Sequence, residues 1–160
     1  IAGNKKILVF SQFTSALKNI EKNLEEVGIN YIYLDGSIGS KERGELVKKF
    51  NEDPLISVFL ISLKAGGVGL NLTSASVVIH FDPWWNPAVE DQATDRAHRI
   101  GQKHVVEVIK MISEGTIEEK IISLQEEKKN LIDKVVGKDI ELGENISNLD
   151  DEDILALFKR

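Results

Sequence analysis

Two of the chain's four arginines stand three residues apart, in the run Gln92-Ala93-Thr94-Asp95-Arg96-Ala97-His98-Arg99-Ile100-Gly101-Gln102. In a helix from Pro87 to Ile100, Gln92, Arg96 and Arg99 fall at i, i+4 and i+7, and Asp95 borders the same face. Val89, Ala93, Ala97 and Ile100 occupy another face, which can dock on a core. What remains is a polar stripe with two permanently charged, planar guanidinium groups. Such groups match phosphate oxygens in a two-pronged way, which suits a nucleoside triphosphate. A solvated helix face with Asp–Arg pairing uses the same residues and needs no ligand.

Upstream lies Lys64-Ala65-Gly66-Gly67-Val68-Gly69-Leu70-Asn71. Glycines let backbone N–H groups approach a phosphate or sugar with no Cβ in the way, and they also serve connections that need positive φ. The loop is no phosphate-binding P-loop, because Gly-x4-Gly-Lys-Ser/Thr occurs nowhere in the chain. Ser11, Gln12 and the Asp35-Gly36-Ser37 turn offer donors for phosphates, or caps and turns for the fold. Trp84 and Trp85 are the only tryptophans; an indole here either wedges against a nucleic-acid groove or packs against the arginine helix. His98 lacks a second histidine or a carboxylate at metal-ligand spacing, and no metal site is expected.

These groups need a scaffold. Ile7–Phe10, Tyr31–Leu34, Ile56–Ile61, Val77–Phe81 and Val105–Met111 read as strands, four of them near-continuous apolar runs. Helical patterns separate them: one ends at Gly28, one is capped by Ser40 and runs through Phe50, and one is the arginine segment. Alternating strands and helices predict a doubly wound α/β domain, with a mainly parallel sheet and helices on both faces. Its ligand edge is the row of loops at the strand C-termini, where Ser11, Asp35, Ser62 and Asp82 fall. Thr116-Ile117-Glu118-Glu119 is a capping box for a helix to about Leu131, with Ile117, Ile121, Leu124 and Lys128 at packing spacing. Residues 1–132 form the predicted lobe. Residues 133–160 are expected to be a linker to residue 148 and a short amphipathic helix, Asp150–Phe158.

The 160 residues fit a single core-bearing domain, and the absence of cysteine excludes a disulfide scaffold and fits a reducing interior. No apolar run approaches the roughly 18 residues that cross a bilayer, so no membrane contact is expected. The net charge of −6 opposes a surface coated for nucleic acid. The acidity lies mostly beyond residue 115, which leaves room for a local cationic groove in the body.

With Ile7-Leu8-Val9-Phe10-Ser11-Gln12, Leu34-Asp35-Gly36-Ser37, the glycine loop, Asp82-Pro83-Trp84-Trp85-Asn86-Pro87 and the Gln-x-x-Asp-Arg-x-x-Arg-Ile-Gly-Gln run in this order, the chain resembles the C-terminal RecA-like lobe of superfamily 2 helicase-type ATPases. More narrowly it is similar to the Swi/Snf family of double-stranded DNA translocases, over roughly residues 5–125. The resemblance implies a second motor lobe that uses ATP with Mg, the metal and the phosphate cradle being supplied by an N-terminal lobe of the same polypeptide. It implies catalytic roles for Arg96 and Arg99 as arginine fingers, aided by Gln92 and Asp95, and nucleotide contacts from Gly67, Gly69, Asn71, Gln92, Arg96 and Arg99. It implies sequence-independent backbone contacts to double-stranded DNA from Ser11, Gln12, Gly36, Ser37, Lys64, Ala65, Gly66, Gly67 and Trp85. The isolated lobe is then expected to be monomeric and inactive, located in a bacterial or archaeal cytoplasm or nucleoid, or in a nucleus if the source is eukaryotic. The alternative is a non-catalytic nucleic-acid-binding module that keeps the same fold. A dinucleotide-binding dehydrogenase fails, because Phe10-Ser11-Gln12-Phe13 stands where Gly-x-Gly-x-x-Gly would follow the first strand.

Overall fold

Five strands and five helices alternate along the chain in a computed structural model that describes residues 5–66, 69–97 and 105–139. The strands are β1 (Ile7–Ser11), β2 (Tyr31–Leu34), β3 (Val58–Ser62), β4 (Val77–His80) and β5 (Glu107–Lys110). The helices are α1 (Thr14–Glu26), α2 (Ser40–Glu52), the short α3 (Leu63–Gly66), α4 (Pro87–Thr94) and α5 (Ile117–Asp139). The sheet order is β2-β3-β1-β4-β5, and every pairing is parallel. This is the doubly wound, RecA-like arrangement expected from the sequence.

Strand periodicity sorts the core into two clusters, one for each face of the sheet. Leu8, Phe10, Phe59, Ile61, Ile32, Leu34 and Val78 join the cluster that takes Phe50 of α2 and Ala93 of α4. The intervening Val9, Val58 and Leu60 join Leu17 of α1, with Ile20 and Leu24 alongside. α1 stops where Gly28 adopts φ +70°. There the Ile29 N–H donates to the Leu24 carbonyl (2.9 Å) and the Gly28 N–H to that of Glu25 (3.1 Å), closing the helix in a left-handed glycine turn.

Strand bounds move by one or two residues, as where β3 begins at Val58 rather than Ile56 and β5 covers Glu107–Lys110 rather than Val105–Met111, and helix bounds move too. Ser40 is the first residue of α2 rather than its cap, which falls on Gly39. The arginine helix ends at Thr94 rather than Ile100. α5 continues to Asp139, through the first part of the expected linker. Its expected packing stripe is corrected in part: Ile117 and Leu124 are exposed, Ile121 is half-buried and Gln125 is buried, while the Lys128 side chain lies outside what the structure describes. The chain separates into two compact units, Ile1–Gln125 and Glu126–Arg160. Arg99, His98, Gly67 and the predicted Asp150–Phe158 helix lie outside the described residues. Among the described residues, no helix is long and apolar enough to cross a membrane.

Candidate functional site

The strand register brings the singled-out segments to one edge of the sheet. Ser11 pairs with Ser62, Leu34 with Ile61 and Phe10 with His80, so the loops starting at Gln12, Asp35, Leu63 and Phe81 leave from the same end. The edge is organised around Asp82, 7% exposed. Its Oδ1 accepts from the Ser11 hydroxyl, and its Oδ2 accepts from the Gln12 N–H at 3.0 Å. The Gln12 Nε2 donates to the Pro83 carbonyl at 3.2 Å. Ser11 is buried, and its hydroxyl is committed to this clasp. The resemblance assigns Ser11 and Gln12 to a DNA backbone; in this lobe they fasten the Asp82 loop to the end of β1. The reason is physical: a buried hydroxyl must find an acceptor, and a carboxylate is a strong one.

At the end of β2, the Asp35 Oδ1 accepts from the Ser37 N–H (2.9 Å) and hydroxyl (2.6 Å), and its Oδ2 accepts from the Tyr33 hydroxyl (3.1 Å). The Ser37 bonds hold the Asp35 carboxyl below its usual range, helped by Tyr33. Burial and the neighbouring carboxylate push the Tyr33 phenol up to about 12. Gly36 and Ser37 remain exposed at the tip. Arg43, unremarked in the sequence, supports this turn from α2: its Nε donates to the Ile38 carbonyl at 2.7 Å and its Nη2 to that of Gly36 at 3.4 Å. An arginine three residues into a helix gives no sequence signal that its fork will close backward on a turn.

The glycine loop starts from α3. Lys64 is exposed beside it, whereas Ala65 is 1% exposed and faces the core, so its assigned DNA contact is not a side-chain contact in this lobe. Gly69 lies in the open with φ +40°, the glycine-dependent conformation that the connection requires. Asn71 is exposed, and its carbonyl accepts from the Asn51 Nδ2 at 2.8 Å. Leu72 then donates its N–H to the Arg96 carbonyl at 3.0 Å, which joins the glycine loop directly to the arginine segment.

That segment departs from the expected stripe. The Asn86 side chain caps α4 by accepting from the Ala88 N–H at 3.3 Å, and Pro87 follows as the first helical residue. Gln92 and Asp95 are exposed, but Arg96 is only 7% exposed. The helix tightens where the Arg96 N–H bonds Ala93 and the Ala97 N–H bonds Thr94, both three residues back. Arg96 is thus buried, whereas Gln92, four residues before it, faces solvent. Trp85 is 59% exposed, while Trp84 packs against the core with its ring centroid 6.1 Å from that of Trp85. His80 is buried under this region; it stacks on Phe10 at 5.8 Å, and its Nε2 meets the Thr94 hydroxyl at 3.0 Å. Burial lowers its pKa.

The fit to a nucleotide is one-sided. Gln92 and the open backbone at Gly69 can meet phosphates, and a Cβ on Gly69 would find nothing within 4 Å. The carboxylates of Asp35 and Asp82 are already occupied by internal donors. The polar groups at this edge therefore suit contact with a ligand that something else holds.

Comparison with known proteins identifies the family. The family described as "Helicase conserved C-terminal domain" matches residues 1–101. The chain is 46% identical over 159 residues to an uncharacterized ATP-dependent helicase of Mycoplasma pneumoniae, covering 99% of this chain and 15% of that protein. It is 48% identical over 153 residues to the ATP-dependent helicase rhp16 of Schizosaccharomyces pombe, covering 96% of this chain and 17% of that one. Among solved structures, the C-terminal part of the Fun30 ATPase domain superposes with a TM-score of 0.74 at 44% identity, over 76% of this chain and 39% of that chain. The chain thus spans about one-sixth of the length of these two helicases.

Proposed function

Because the chain belongs to the family of helicase conserved C-terminal domains, we propose that it is the second motor lobe of an ATP-dependent double-stranded DNA translocase of Swi/Snf type. The observation that carries this reading is the shared edge. Gly36, Ser37, Lys64, Gly69, Trp85, Gln92 and Asp95 are exposed on segments that leave, or lie one loop beyond, the same ends of parallel strands. Backbone amides, a lysine and an indole offer contacts to sugar and phosphate without reading bases, so the grip is independent of sequence.

Bound ATP, with Mg held by an N-terminal lobe, would supply the free energy of phosphoryl transfer. In this lobe Gln92 and Arg99 would neutralise charge on the phosphates, Arg96, buried here, would turn outward to join them, and Asp95 would orient the arginines. The chain carries no phosphate cradle of its own. Alone, it therefore presents half of a site. The Leu72–Arg96 hydrogen bond provides the link by which a change at the nucleotide edge reaches the glycine loop. Location follows the DNA: the nucleoid in a bacterium, the nucleus in a eukaryote.

A duplex titration tests this reading. The isolated chain should bind duplexes of unrelated sequence weakly and with equal affinity, and binding should fall steeply with salt because phosphate contacts release counterions. Lys64→Ala should weaken every duplex alike and reduce the salt slope by about one. Tight binding that survives high salt, or binding indifferent to both Lys64 and Trp85, would overturn it.

A further inference from the structure

Glu90 is 1% exposed, and the motor reading above gives it no task. It stands in the first turn of α4, and its carboxylate gathers three other parts of the fold. Oε1 accepts from the Trp84 N–H at 2.6 Å and from the Gln125 Nε2 of α5 at 2.9 Å. Oε2 lies 2.5 Å from the Nζ of Lys110 at the end of β5. The Gln125 Nε2 also donates to the Trp84 carbonyl, and the Gln125 Oε1 accepts from Lys110 at 3.4 Å.

Trp84 is therefore held at both of its main-chain polar groups, the N–H by Glu90 and the carbonyl by Gln125. Two fixed peptide planes on either side of one residue set the direction in which the chain leaves it, and the next residue is the exposed Trp85. The Lys110 side chain is 38% exposed, so solvent screens its pairing with the buried Glu90, and desolvation of the carboxylate offsets much of the attraction that remains. The contribution of this cluster is geometric.

We propose that Glu90 is a positioning residue, fixing the Trp84–Trp85 loop to α4 so that the exposed indole and the arginine segment at the far end of that helix keep one relative orientation. The hold on Trp84 stands on the hydrogen bonds alone. Its consequence for DNA rests on the proposed duplex contact of Trp85.

The two tryptophans are the only ones in the chain, so fluorescence reads this loop directly. In a Trp85→Phe background, Trp84 is the sole emitter. Adding Glu90→Gln, which leaves one acceptor oxygen for three donors and sets an amide N–H against the Lys110 ammonium, should shift its emission to the red. It should also raise acrylamide quenching about twofold, well below the melting temperature, because local release admits solvent. Where Glu90→Gln does not fold, Gln125→Leu removes the two Gln125 bonds to Glu90 and Trp84 while sparing the Glu90–Lys110 pair, and the same shift is expected. A lower melting temperature with unchanged emission and quenching would mean that Glu90 only stabilises the fold, and would overturn the proposal. With Trp85 restored, Glu90→Gln should also weaken duplex binding. An emission shift with unaltered duplex affinity would uphold the hold on Trp84 and overturn its consequence for DNA.

Discussion

Asp82 shows how much of the edge depends on single side chains. Its two oxygens satisfy the buried Ser11 hydroxyl and the Gln12 N–H. Asp82→Ala would leave both donors without this acceptor, and a buried unsatisfied polar group costs about 1–3 kcal/mol. Urea unfolding should show a loss of about 2–3 kcal/mol at unchanged m-value, with Asp82→Asn milder because one acceptor oxygen remains. His80 gives a prediction in pH. Its pKa is lowered chiefly by burial, with Lys110 adding to that and Glu90, Asp91 and Asp82 opposing it. Between the lowered folded value and the ordinary 6.5, the unfolded chain binds more protons, so stability falls as pH drops below 6.5 and is flat above it for this group. Proton NMR of the imidazole should show His80 still neutral at a pH where an exposed histidine is charged. Neither effect was legible in the sequence. Ser11 and Asp82 are 71 residues apart, and only the parallel register of β1 and β4 makes them neighbours.

The elements themselves were largely legible. Apolar strands bounded by turn residues gave the parallel sheet, and Gly28 marked the end of α1, because both signals are local. α4 is shorter than its pattern, because its apolar spacing runs on past Thr94 while its hydrogen bonds tighten to a three-residue step at Arg96 and Ala97. The Arg96 carbonyl serves Leu72 of the glycine loop, a tertiary contact that periodicity cannot anticipate. Arg43 and Glu90 carry no local signal for the same reason, since their partners come from other segments. Gly69 tests the loop side of this junction. At φ +40° with open space around it, Gly69→Ala meets a backbone penalty and no clash. It should cost about 1–2 kcal/mol in equilibrium unfolding. If the glycine loop meets the duplex, the same variant should also weaken DNA binding.

For the whole molecule, charge and resemblance pull in different directions. A net charge of −6 disfavours a polyanion. An edge of exposed Lys64, backbone amides and Trp85 favours one locally, provided that a second lobe supplies most of the phosphate neutralisation. The same division of labour predicts that the purified chain hydrolyses no ATP, since it has no phosphate cradle; turnover abolished by Arg99→Ala in this fragment would contradict that. The most direct test of the proposed motor role is DNA-stimulated kcat in a full-length protein that carries this lobe. Arg96→Ala and Arg99→Ala should each lower kcat by about 10³ with the fold intact, and Arg99→Lys should be nearly as severe, because lysine lacks the planar fork. Wild-type DNA-stimulated kcat in either alanine variant would contradict the assignment of this lobe as the supplier of charge to a nucleotide held by its partner.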